Sequence, residues 1–138
     1  MMKFAGVDIL IDRRVEANEV QACLAKVFGL DVGRVAVIDD IANYPDRSIA
    51  DLVCTRSVLE GDFVCLLSMD SRPKVLEFES MVDLVQAISG TLAAKCLVPD
   101  DETLNPYAMW LMAPGCSPTR TFLNVDALER EIYVLAKP

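Results

Sequence analysis

"DLVCTRSVL" (residues 51–59) and "DFVCLLSMD" (residues 62–70) stand on either side of Glu60-Gly61. Two apolar, β-branched runs flanking a short Gly-containing turn read as an antiparallel hairpin. The second run is apolar on both faces, with Phe63, Cys65 and Leu67 against Val64 and Leu66. Such a strand is covered on both sides and belongs at the centre of a sheet.

The pattern extends outward in both directions. "FAGVDILI" (4–11) alternates, with Ala5, Val7, Ile9 and Ile11 on one side and Asp8 opposite, which predicts a half-buried strand. "RVAVID" (34–39), "KVLEFE" (74–79), "CLV" (96–98), "YAMWLMA" (107–113) and "RTFLNV" (120–125) are further short strands. Two segments change period. In "ANEVQACLAKVFG" (17–29), Val20, Cys23, Leu24, Val27 and Phe28 fall on one helix face, with Asn18 and Gln21 as a capping pair and Gly29 as the stop. "SMVDLVQAISGTLAAK" (80–95) repeats this with Ser80 and Asp83 as a capping box, and Leu84, Val85, Ile88 and Leu92 as the buried face. The end, "DALEREIYVLAKP" (126–138), offers Asp126 and Glu129 as a capping pair and then a β-prone run, so one helical turn followed by a strand is expected. Strands punctuated by two helices predict an α+β fold: a mostly antiparallel sheet of about six to eight strands in one domain over residues 1–138.

Two loops resemble each other. "VIDDIANYP" (37–45) and "LVPDDETLNPY" (97–107) both run from an apolar strand into paired Asp, then Asn beside Tyr and Pro. Each follows a helix containing Val-Gln-Ala. A duplicated β-α-β-β-β unit would explain the likeness and predicts a pseudo-two-fold within one sheet. Turn chemistry alone is the competing account, since Asp, Asn and Pro suit any strand exit.

Composition excludes several classes. With 138 residues and 53% apolar content the chain can bury one real core, and it carries no apolar run of the roughly 18 residues that span a bilayer. The N-terminal apolar run is broken by Asp8 and lacks a small-residue cleavage site, which argues against a signal peptide. Five cysteines, an odd number with no C-x-x-C pair, point to a reducing compartment and core thiols rather than to disulfides or zinc, so a cytoplasmic location is expected. Cys116, in "PGCSPT" (114–119), is the one expected at the surface. A formal charge of −8 disfavours nucleic acid and anionic membranes and favours encounter with a basic protein.

Histidine is absent, so neither a Ser-His-Asp nor a Cys-His arrangement can be assembled within the chain. Neither acidic loop matches the spacing of a calcium loop. No cofactor or metal is expected. The leading expectation is a small acidic binding protein, most concretely an immunity-type inhibitor of a basic toxin. Its candidate contact residues are Asp39, Asp40, Tyr44, Asp46, Asp100, Asp101, Glu102 and Tyr107, with the tyrosines as aromatic anchors. Two alternatives stand beside it: a dimeric secretion chaperone holding an unfolded client segment, and an enzyme built on carboxylates. Two helices cover only one face of such a sheet, so either a second layer covers the other or apolar surface remains for a partner or a second copy.

Overall fold

A computed structural model describes residues 2–4, 6–46, 49–71 and 76–137. Ala5, Lys74 and Val75 of the expected strands lie outside the described residues. In chain order the elements are β1 (Met2–Phe4), β2 (Gly6–Ile11), α1 (Ala17–Phe28), β3 (Val35–Ile38), β4 (Leu52–Val58), β5 (Glu60–Gly61), β6 (Cys65–Ser71), β7 (Leu76–Phe78), α2 (Met81–Leu92), β8 (Cys96–Pro99), β9 (Ala108–Met112), β10 (Thr119–Phe122), α3 (Val125–Glu129) and β11 (Ile132–Tyr133).

The fold is α+β. Seven strands form one sheet in the order β10-β9-β8-β2-β6-β4-β3, antiparallel except for the pair β3–β4. The hairpin is present: β4 and β6 pair antiparallel from Leu52↔Ser71 to Val58↔Cys65, and β6 lies between β4 and β2. A two-stranded sheet joins β1 to β7, and β5 pairs parallel with β11.

Alternation along each strand sorts the core into two layers. Ile9 and Ile11 of β2, Leu67 and Met69 of β6, Leu52 and Cys54 of β4, and Val98 of β8 face α1 and α2. The helices answer with Val20, Cys23 and Leu24 from α1, and Leu84, Val85, Ile88 and Leu92 from α2. Burying a side chain of this size contributes about 1.5–3 kcal/mol. On the opposite face Leu10, Leu97 and Met109 form a second cluster with Phe63 and Leu123, flanked by Leu66, Leu111, Leu128, Tyr133 and Leu135. The C-terminal segment, residues 123–135, is therefore the second layer over that part of the sheet. The apolar strand faces that the sequence left unaccounted for are covered in large part from within the chain, while Val58 and Phe122 stay exposed.

Helix ends differ from expectation in one respect. α1 begins two residues earlier than Asn18–Gln21 would place it: Glu16 is its N-cap, and Glu19 reaches back to the Glu16 backbone N–H. Gln21 instead donates to the carbonyls of Val32 and Val35 (3.0 and 2.8 Å), tying the helix to the edge strand β3. Gly29 ends α1 in the left-handed region (φ +67°), as a C-cap glycine does. The Ser80 hydroxyl accepts from the Asp83 N–H (3.1 Å), the capping arrangement read from the sequence. The C-terminal turn and strand are present, but Asn124 caps α3 by accepting from the Ala127 N–H (2.9 Å), in place of an Asp126–Glu129 pair.

The strands after the two helices are not related by a pseudo-two-fold. β3 is an edge strand parallel to β4, whereas β8 sits beside the central β2 and runs antiparallel to β9. The acidic loops differ for the same reason. The first spans the 13 residues between β3 and β4 and carries the chain back for a parallel pairing, which takes a dozen or more residues. The second closes an antiparallel hairpin. Turn chemistry recurs in two unlike connections.

Candidate functional site

Successive pairings make β3 antiparallel to β8, so the two Asp-Asp loops leave opposite ends of the sheet. Four strand spacings, about 19 Å, also separate them laterally. The eight residues expected to share one acidic surface therefore divide into two places.

In the first loop the carboxylates are largely committed. Asp39 receives Nε and Nη2 of Arg56 (2.8 and 2.9 Å), which holds its carboxyl below the usual carboxylate range. Asp40 accepts from the Ala42 N–H (2.9 Å) and caps the short turn at Ile41–Asn43. The Tyr44 hydroxyl donates to Asp70 on β6 (2.6 Å), so this tyrosine is turned to the sheet and is not the outward anchor the sequence suggested. Asp46 is exposed, and its carbonyl accepts from the Ile49 N–H. The outward apolar residues here are Ile41 and Ile49.

The second loop is more tightly built. Asp100 is buried and accepts from Arg120 Nε (3.1 Å) and from the Glu102 N–H (3.2 Å). Arg120 also reaches Glu102 (3.3 Å) and lies 4.8 Å above the ring of Trp110, its cross-strand partner. Thr103 and Asn105 close the remaining turns by accepting from the N–H groups of Asn105 and Tyr107. Tyr107 is half-buried, and its carbonyl accepts from the Leu123 N–H. At the tip stands Leu104, wholly exposed at 102%, next to exposed Asp101 and Glu102. Leu104 was not among the expected residues. Its only sequence signal was an aliphatic residue inside an otherwise polar turn.

A cleft of about 560 Å³ opens at the end of the sheet where β2 and β3 terminate, away from the Leu104 loop. Arg14, Glu16, Asp39, Arg56, Val58, Val64 and Cys65 are among its lining residues. Arg56 fixes one wall through Asp39 and by donating to the Val15 carbonyl (2.7 Å). An acid–base site of carboxylates would gather carboxyl groups raised above their ordinary range. Asp39 is shifted the other way, by its guanidinium partner.

Among the described residues no group of three or more His, Cys, Asp or Glu side chains is placed to hold a metal ion. Nor is any helix among them long and apolar enough to cross a membrane. Compared with protein-family models, curated proteins and solved structures, the chain matches none.

Proposed function

We propose that this protein is a binding module of the immunity-inhibitor kind, which docks the 100–107 loop on a basic protein partner. The observation that carries this reading is Leu104, fully exposed at the tip of a loop braced by Asp100, Arg120 and Trp110 and edged by Asp101 and Glu102. A braced loop loses little conformational freedom on binding, so more of its contact energy appears as affinity. An apolar knob can fill a partner's pocket while its carboxylates pair with a basic rim, and those charges speed encounter. The net charge of −8 acts in the same direction. The loop at Asp39–Asp46 lies at the other end of the sheet and belongs to a different surface.

The test is affinity capture from the source organism with the tagged chain, washed at low and then high salt, beside Leu104→Ala and Asp101→Lys variants. The expected result is a stoichiometric basic protein that leaves at high salt. Both variants should hold it roughly tenfold less tightly or worse. An empty eluate, or a partner indifferent to both substitutions, would overturn the reading.

A further inference from the structure

Arg13, Arg34, Arg56 and Arg120 each hold a carboxylate of the same chain. Arg14, in a chain with acid to spare, pairs with no carboxylate among the described residues, and it lines the cleft. Two residues on, Glu16 lines the same cleft and has extended backbone (φ −75°, ψ 151°). Between them Val15 is buried at 3%, its carbonyl held by Arg56. Arg14 and Glu16 are both exposed, on either side of the buried Val15, and all three line the cleft, so the two charges stand on one anchored stretch of backbone. One opposite-charge pair thus stands at the rim. Arg56 and Asp39 satisfy each other in the wall, and Val58 and Val64 supply apolar surface. The volume lies within the range of about 300–1,000 Å³ usual for small-molecule sites.

We propose that this cleft binds a small zwitterion with an apolar side chain, of the class of a free aliphatic α-amino acid. Its carboxylate meets the Arg14 guanidinium, its ammonium meets Glu16, and its side chain lies against Val58 and Val64. A simple anion would meet Glu16 unfavourably and a simple cation would meet Arg14. Only a ligand carrying both charges uses both. The site is separate from the Leu104 loop, and its test does not involve a protein partner.

The experiment is an amide-resolved NMR titration of the full chain with L-leucine, with leucinamide, which lacks the carboxylate, and with 4-methylpentanoate, which lacks the ammonium. Leucine is expected to shift the amides of Arg14, Glu16, Ser57, Val58, Val64 and Cys65, and the two analogues to bind roughly tenfold more weakly or worse. Arg14→Ala should lower leucine to the level of leucinamide. Glu16→Gln should lower it to the level of 4-methylpentanoate. Both side chains are exposed, and the spectrum of each variant reports whether its fold is intact. No shift in the cleft up to the solubility limit of leucine, or equal leucine binding in wild type and both variants, would overturn the proposal.

Discussion

The carbonyl carbon and nitrogen of Tyr133 lie 2.7 and 2.8 Å from the point that a Cβ on Gly61 would occupy, and Gly61 itself has φ +113°. This close approach latches the C-terminal layer to the sheet, because the Tyr133 carbonyl also accepts from the Asp62 and Phe63 N–H groups (2.8 and 3.2 Å). Gly61→Ala is therefore expected to lose about 3 kcal/mol in urea unfolding and to gain binding of an apolar dye as the layer lifts. Gly29→Ala is the comparison: its φ of +67° is also left-handed, but nothing lies within 4 Å, so about 1 kcal/mol is expected. Equal losses at the two sites would show that backbone strain alone is at work and that the latch adds nothing.

Arg120 is the brace of the Leu104 loop. Its removal leaves the Asp100 carboxylate, with a side chain only 3% exposed, without a counter-ion. Arg120→Ala should cost about 2 kcal/mol, at the low end for a buried charge because Arg120 itself is well exposed. The emission of Trp110, the single tryptophan, should change with it. Unchanged emission and an unchanged unfolding midpoint would mean that the loop is held by its turns alone.

The thiols divide by burial. Desolvation raises Cys23 to about 11 and Cys54 and Cys96 to about 12, and pushes Cys65 upward, while Cys116 is exposed. An aromatic disulfide reagent at neutral pH should label one thiol per folded chain quickly and all five only after unfolding. The linkage has a definite sign. A thiol raised in the folded state contributes fully below its unfolded value, near 9, and its contribution falls as pH rises above that by about 1.4 kcal/mol per thiol per pH unit. Alkaline unfolding is the expected outcome; stability level through that range would mean the thiols are not buried together.

The acid side runs oppositely. Hydrogen bonds from Arg56 and Arg13 lower Asp39 and Glu19, so what these carboxylates contribute is present above the ordinary carboxylate range and lost as pH falls through their lowered values. In Arg56→Gln the loss of stability on acidification should be shallower than in wild type. Superimposable curves would show that the Asp39–Arg56 pair is energetically silent, as many surface pairs are.

Periodicity carried the fold far because both periods were strongly expressed. The alternation of Val7, Ile9 and Ile11 and the helical spacing of Leu84, Val85, Ile88 and Leu92 each name a buried face without help from the rest of the chain. Strand order is a different kind of information, since local pattern has no term for which edge accepts β3. The first Asp-Asp loop became a crossover through its length, and its resemblance to the second loop lay only in the residues that any strand exit prefers.

The candidate site was less legible. Asp100 and Asp101 are adjacent in sequence, yet one is buried under Arg120 and the other exposed, a division made by a strand eighteen or more residues away. Tyr44 looked like an anchor by residue type, but Asp70 claims its hydroxyl across the sheet. Arg14 and Glu16 carry no local signal, because charges flanking a helix start are ordinary; only the anchored Val15 between them turns the pair into one side of a cleft.

The layer that closes the outer face, residues 123–135, is encoded after every strand of the seven-stranded sheet. On the ribosome, all seven strands are therefore made while Leu10, Leu97 and Met109 have Phe63 against them but still lack Leu123, Leu128, Tyr133 and Leu135. A message broken off just before codon 123 would yield a chain able to pair its whole sheet and yet present a half-covered apolar side to its neighbours. Quality control of this fold thus turns on the codons for residues 123–135, and products truncated before them should be found in aggregates rather than among folded chains.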